Sequence, residues 1–91
     1  MQPLGKAIRS VLKSVGIDRA VLQNEALVVW EKVVGKAVAE NTTPEEVKHG
    51  TLIVKVSTPV WRNELAMRKG EILEKLNDTL GKKVIRDLRL I

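Results

Sequence analysis

Between Asn41 and Leu65 the chain places a turn, a strand, a helix start and a tryptophan in one run, and the remainder has to pack around it. Leu52, Val54 and Val56 alternate with Ile53, Lys55 and Ser57, the period of a strand with one buried and one partly wet face. His49-Gly50 reads as a hairpin turn, which makes Glu45 to Lys48 a short partner strand. Pro44 has no N–H to give to a ladder and belongs at the beginning or on the edge of that strand. Ser57 and Thr58 offer hydroxyl oxygens as helix N-caps, and Pro59 fits the first helical turn, where a missing N–H costs nothing. Trp61 then stands one turn into the helix at the seam with the sheet. It can face inward as core or outward as a docking anchor.

On either side the apolar spacing is helical. Leu4, Ile8, Val11, Leu12 and Val15 mark a first helix stopped by Gly16, and Lys6, Arg9 and Lys13 project from one side of it. Asp18 can cap a second helix carrying Leu22, Ala26, Val29, Trp30, Val33 and Ala37. Val21, Val28, Val34 and Val38 broaden that stripe, so burial over much of the circumference is expected, with Trp30 as a core anchor. Gly35 in its last turns costs about 1 kcal/mol relative to Ala, which a close approach by another backbone would explain. A third helix is predicted from Pro59 to Leu80, with Gly81 as its stop and Trp61, Leu65, Ile72, Leu73, Leu76 and Leu80 on one face. Arg62 and Lys69 fall inside the same arc, either snorkelling over apolar surface or lining an anion-binding edge beside Trp61. Val84 to Ile91 alternates again and supplies a third strand. The expected fold is α+β in the order α-α-β-β-α-β, a three-stranded sheet packed on helices, with residues 1–91 as a single domain.

Composition narrows the chemistry. With no cysteine and the single His49, neither a disulfide scaffold, a thiolate zinc site nor an imidazole cluster can be built, so no metal and no cofactor is expected. No Ser/His/acid set or phosphate-binding glycine loop occurs, and the adjacent Glu45 and Glu46 would point to opposite faces of a strand. The chain reads as a non-enzyme with no small-molecule substrate. The N-terminal run lacks the apolar core of a signal peptide, and no apolar run approaches the roughly 18 residues of a membrane span, which reads as cytoplasmic with no membrane partner. Sixteen Lys and Arg against eleven Asp and Glu give a net charge of +5, concentrated at the two ends. Lys6, Arg9, Lys13 and Arg19 outweigh Asp18 at one end; Lys82, Lys83, Arg86 and Arg89 outweigh Asp87 at the other. Such ends make either a patch for a polyanion or an ordinary solvated surface. Two tryptophans without Phe or Tyr argue against a sheet that stacks several bases on aromatics.

The element order, with Trp30, Val34-Gly35, Asn41-Thr42-Thr43-Pro44, Gly50-Thr51-Leu52-Ile53-Val54, Pro59-Val60-Trp61, Glu64-Leu65 and Leu76-Asn77, resembles the bacterial DciA family over nearly the whole chain. That family includes the protein that assists loading of the replicative helicase. The resemblance implies a KH-like α+β domain, interaction with a DnaB-type helicase and affinity for single-stranded nucleic acid. The chain departs from it in having no Gly-x-x-Gly loop of the kind a KH module uses to clamp a strand, so any nucleic acid must be held on another surface. Some relatives are described as zinc-ribbon proteins, which a chain without cysteine cannot be. Many helicase-loading relatives also carry a second, flexible segment that helps engage the partner, so an ending just after the last strand reads either as a chain without full loading activity or as an isolated domain. On this reading Lys6, Arg9, Lys13, Arg62, Lys69, Lys82 and Lys83 hold phosphates and Trp61 anchors the partner. Two other readings stay open: a general RNA- or single-stranded-DNA-binding module without a helicase partner, and a domain that pairs with itself through its last strand.

Overall fold

The computed structural model describes residues 18–91, so the expected helix from Leu4 to Val15, and with it Lys6, Arg9 and Lys13, lies outside the described residues. Helix α1 (Asp18–Val34) buries Leu22, Ala26 and Trp30, one residue per turn. Leu27, Val29, Val33 and Val34 are partly covered, but Val28 is 77% exposed and Val21 is open as well. Burial therefore follows one stripe and its flanks rather than much of the circumference. Trp30 is a core anchor, as its position predicts, and its buried indole is satisfied: Nε1–H donates to Thr42 Oγ1 at 2.9 Å, and that hydroxyl donates to the Val38 carbonyl at 2.9 Å.

The second helix does not continue to Ala37. It breaks at Gly35, where φ is 90° and ψ 163°, and resumes as a single turn, α2 (Lys36–Ala39). A Cβ on Gly35 would meet nothing within 4 Å, so no close backbone approach selects the glycine. Its positive φ does, being a conformation that L side chains rarely adopt.

Strands β1 (Thr42–Lys48) and β2 (Thr51–Val56) form the expected antiparallel hairpin. His49 and Gly50 have φ of 53° and 79°, the two positive values a tight type I′ turn demands. The first strand starts three residues before Glu45, because Thr42 and Thr43 already pair with Val56 and Lys55. Pro44 pairs with Val54 on what is an edge strand, where its missing donor faces no neighbour. A bulge between Pro44 and Glu46 shifts the register, and Glu45 and Glu46 are both exposed.

Helix α3 (Pro59–Met67) starts as read: Thr58 is the N-cap, its hydroxyl accepting the Trp61 N–H at 3.2 Å, and Pro59 opens the first turn. The predicted continuous helix to Leu80 is broken at Arg68 (φ −105°, ψ 12°), after which α4 (Lys69–Leu80) runs to Gly81 in the left-handed conformation. The cause is the partners of the two halves. No residue between Leu65 and Ile72 is buried, α3 packs on β2, and α4 packs on α1 and β3. A corner seats both apolar sides where a straight helix would seat one.

The last strand, β3 (Asp87–Leu90), is shorter than the expected Val84 to Ile91. Val84 and Ile85 are buried in the approach to it, held by Asn77: Oδ1 accepts both N–H groups at 3.0 Å and Nδ2 donates to the Ile85 carbonyl at 2.9 Å. β3 pairs parallel to β2, giving a mixed sheet in the order β1-β2-β3. Leu52 and Val54 with Leu88 form the sheet's buried side, against Leu22, Trp30, Leu65, Leu76 and Leu80. Thr51 pairs with Asp87 and Ile53 with Arg89 on the other, open side. The fold is α+β, a three-stranded sheet packed on helices, with α-α-β-β-α-α-β as the order in the described residues.

Candidate nucleic-acid interface

β3 lies at one edge of the sheet, and the α3–α4 corner stands beside it. Between them is a groove of about 770 Å³. Lys48, His49, Thr51 and Ile53 reach it from the hairpin and the open sheet face, and Arg62, Ala66 and Lys69 from the helices, with Asp87 to Leu90 between. Lys48, Arg62, Lys69 and Arg89 thus meet a single carboxylate, that of Asp87. The small Ala66 side chain leaves the helical wall open between Arg62 and Lys69.

Arg86 fixes the hairpin end of the groove. Its guanidinium donates to the His49 carbonyl at 2.9 Å and its backbone N–H to the Gly50 carbonyl at 2.7 Å. A Cβ on Gly50 would lie 2.8 Å from Arg86 Nε, the far end of a flexible side chain that can give way, so it is the positive φ that calls for glycine here. At the helical end, Lys69 Nζ stands 3.4 Å from Asp87 Oδ1. The same oxygen accepts the Leu88 N–H at 2.8 Å. That backbone hydrogen bond, helped by Lys69 and opposed by partial desolvation, holds the Asp87 carboxyl below its ordinary value. The pair is well exposed, 41% at Lys69 and 57% at Asp87, so it contributes at most about 1 kcal/mol.

Of the residues singled out in the sequence, Arg62 and Lys69 are brought together on the groove. Lys82 and Lys83 are not; they line a separate cleft of about 640 Å³ with Glu74, Asp78 and Arg86 at the far end of α4. Trp61 is half-buried and packed against the core. Val60 and Met67, each 77% exposed, lie on the outer side of the same helix. The groove also carries Lys48 and Arg89, which the sequence did not single out as phosphate contacts, although Arg89 counts in the basic C-terminal end. Arg89 is one of several charges in an alternating run, and only the parallel register opposite Ile53 sets it on the open face. Lys48 gave no signal beyond its place beside the turn. Among the described residues no helix is long and apolar enough to cross a membrane, and no group of three His, Cys, Asp or Glu side chains could hold a metal ion.

Fold and groove together define a small α+β domain, a mixed sheet with helices on one side and a cationic trough at its β3 edge. The chain belongs to the DciA family: the family model described as Dna[CI] antecedent, DciA, matches residues 3–90. It is 33% identical over 89 residues to a UPF0232 protein of Mycobacterium tuberculosis, an alignment covering 98% of this chain and 48% of that protein. Similar proteins occur in Mycobacterium marinum, 30% identical over 98% of this chain and 48% of the relative, and in Rhodococcus jostii, 29% identical over 98% and 47%. The chain spans about half the length of the curated relatives it matches.

Proposed function

We propose that this chain is a non-enzymatic adaptor in DNA replication that holds single-stranded nucleic acid in the β3 groove and contacts a DnaB-type replicative helicase through α3. The observation that carries the nucleic-acid half is the groove itself, four cations against one carboxylate along a strand edge. KH modules clamp a strand with a Gly-x-x-Gly loop between two helices. The corner between α3 and α4 reads Met67-Arg68-Lys69-Gly70, so side-chain charge takes the part that close backbone approach plays there. Arg62, Lys69, Lys48 and Arg89 neutralise phosphates; Lys82 and Lys83 in their own cleft, and Lys6, Arg9 and Lys13 near the N-terminus, add outlying contacts.

The helicase half rests on membership of the DciA family, which is associated with loading of that helicase. Trp61 is the anchor, with Val60 and Met67 extending the accessible apolar strip beside it. The adaptor works in the cytoplasm on macromolecules, without a cofactor or small-molecule substrate.

Two measurements test this. The logarithm of affinity for a single-stranded oligonucleotide should fall linearly with log salt, and Arg62→Gln should reduce the slope by about 0.7. Absence of binding at low salt overturns the nucleic-acid half. In a pull-down with a DnaB-type helicase, Val60→Glu and Met67→Glu should weaken capture without disturbing the core, which Trp61→Ala would disturb. No capture by the unaltered protein at micromolar concentration leaves the second reading, a nucleic-acid module without a helicase partner.

A further inference from the structure

The one acidic side chain on the groove stands beside the lysine that an arriving phosphate would need. Asp87 Oδ1 lies 3.4 Å from Lys69 Nζ and accepts the Leu88 N–H at 2.8 Å. These two contacts differ in kind. Lys69 has a long, mobile stem and can swing toward a phosphate, whereas Asp87 is tied to the backbone amide of its own strand and stays in place. An exposed aspartate such as Asp87 is ionised at neutral pH, and the Leu88 amide and Lys69 favour its charged form further. A phosphate that reached Lys69 would therefore face a fixed negative charge at close range.

We propose that Asp87 is a built-in competitor for phosphate in the β3 groove, an affinity-limiting residue that keeps single-stranded nucleic acid from seating fully at Lys69. Phosphates then settle on Arg62 and Arg89, and the Lys69 end is engaged only as the strand displaces the lysine from Asp87. The inference rests on the nucleic-acid reading above and concerns its strength. Asp87 is exposed, so its repulsion acts through water. Removing one like charge at about 4 Å under those conditions is an effect on the order of 5-fold in affinity.

The test uses the full chain and a labelled oligothymidylate titrated across a salt series. Asp87→Asn keeps an oxygen to accept the Leu88 N–H and removes the charge; Asp87→Ser is a second variant with a hydroxyl acceptor. Both should bind about 5-fold more tightly than the unaltered protein at low salt, with a salt slope steeper by about 0.7 as Lys69 becomes free to release a counterion. Glu31→Gln, an identical change in net charge on α1 away from the groove, should give much less. Equal or weaker binding by both Asp87 variants overturns the inference and leaves the nucleic-acid reading standing. So does an equal gain from Glu31→Gln. If neither the unaltered protein nor the Asp87 variants bind at low salt, the nucleic-acid reading falls and the competitor role falls with it.

Discussion

Asn77 sits three residues before the end of α4, where an asparagine ordinarily serves solvent, and here it holds the chain that leads into β3. Its oxygen takes the N–H groups of the buried Val84 and Ile85, and its amide returns a bond to the Ile85 carbonyl. Asn77→Ala leaves the buried Ile85 N–H without a partner, while the Val84 N–H keeps the Lys82 carbonyl at 3.0 Å, and should cost about 1–3 kcal/mol in denaturant unfolding. Asn77→Asp keeps the acceptors, loses the donor and should fall between. Asp87 makes a prediction in pH. Its folded-state value is depressed below 3.8, so its stabilisation is fully present above the unfolded value and is lost as pH falls through the folded one. Followed by NMR, the Asp87 carboxyl should titrate below 3.8, and Lys69→Met should return it only part of the way, because the Leu88 amide is the larger cause. Neither role could be read from the sequence. Leu76-Asn77 was conspicuous as part of a family resemblance, but what Asn77 binds depends on where the chain returns eight residues later.

At the scale of elements, local chemistry was legible and partner choice was not. The hairpin turn, the Thr58 cap, Pro59 and the Gly81 stop are each set by a few adjacent residues, and each stands where the sequence puts it. Gly35 and Arg68 show the limit. The glycine was visible as a costly residue in a helix, yet its cause is a positive φ, and the helix ends there instead of tolerating it. Gly35→Ala should cost about 1–3 kcal/mol in thermal or chemical unfolding, since the alanine must either be strained or straighten α1 into α2 and pull Thr42 from Trp30. At Arg68 the signal was the presence of Arg62 and Lys69 in an apolar arc, the mark of two helices with different partners. The parallel pairing of β3 left no mark at all, because alternation is the same in either direction. The β3 edge also bears on self-association. It is four residues long, and its Leu88 amide is already taken by Asp87, which blunts it against edge-to-edge pairing.

For the whole molecule, a net charge of +5 predicts attraction to any polyanion and says nothing about where it settles. The fold separates what the sequence left together. Arg62 and Lys69 share a groove with Lys48 and Arg89, while Lys82 and Lys83 occupy a cleft with Glu74 and Asp78. Two double variants remove the same two charges from these places and so separate a located site from a diffuse field. Arg62→Gln with Arg89→Gln should lower oligonucleotide affinity at least 10-fold at low salt and reduce the slope of log affinity against log salt by about 1.4, one phosphate lost for each cation. Lys82→Gln with Lys83→Gln should lower affinity only a few-fold with a small change in slope, because two acids beside those lysines already offset their charge. Arg62 and Arg89 are not in the buried core, so circular dichroism and melting temperature should be nearly unchanged in both variants. Equal losses from the two would mean that the polyanion reads net charge alone. A loss confined to the first would place the strand along β3, because only there do cations of the sheet edge and of the helical corner line one groove.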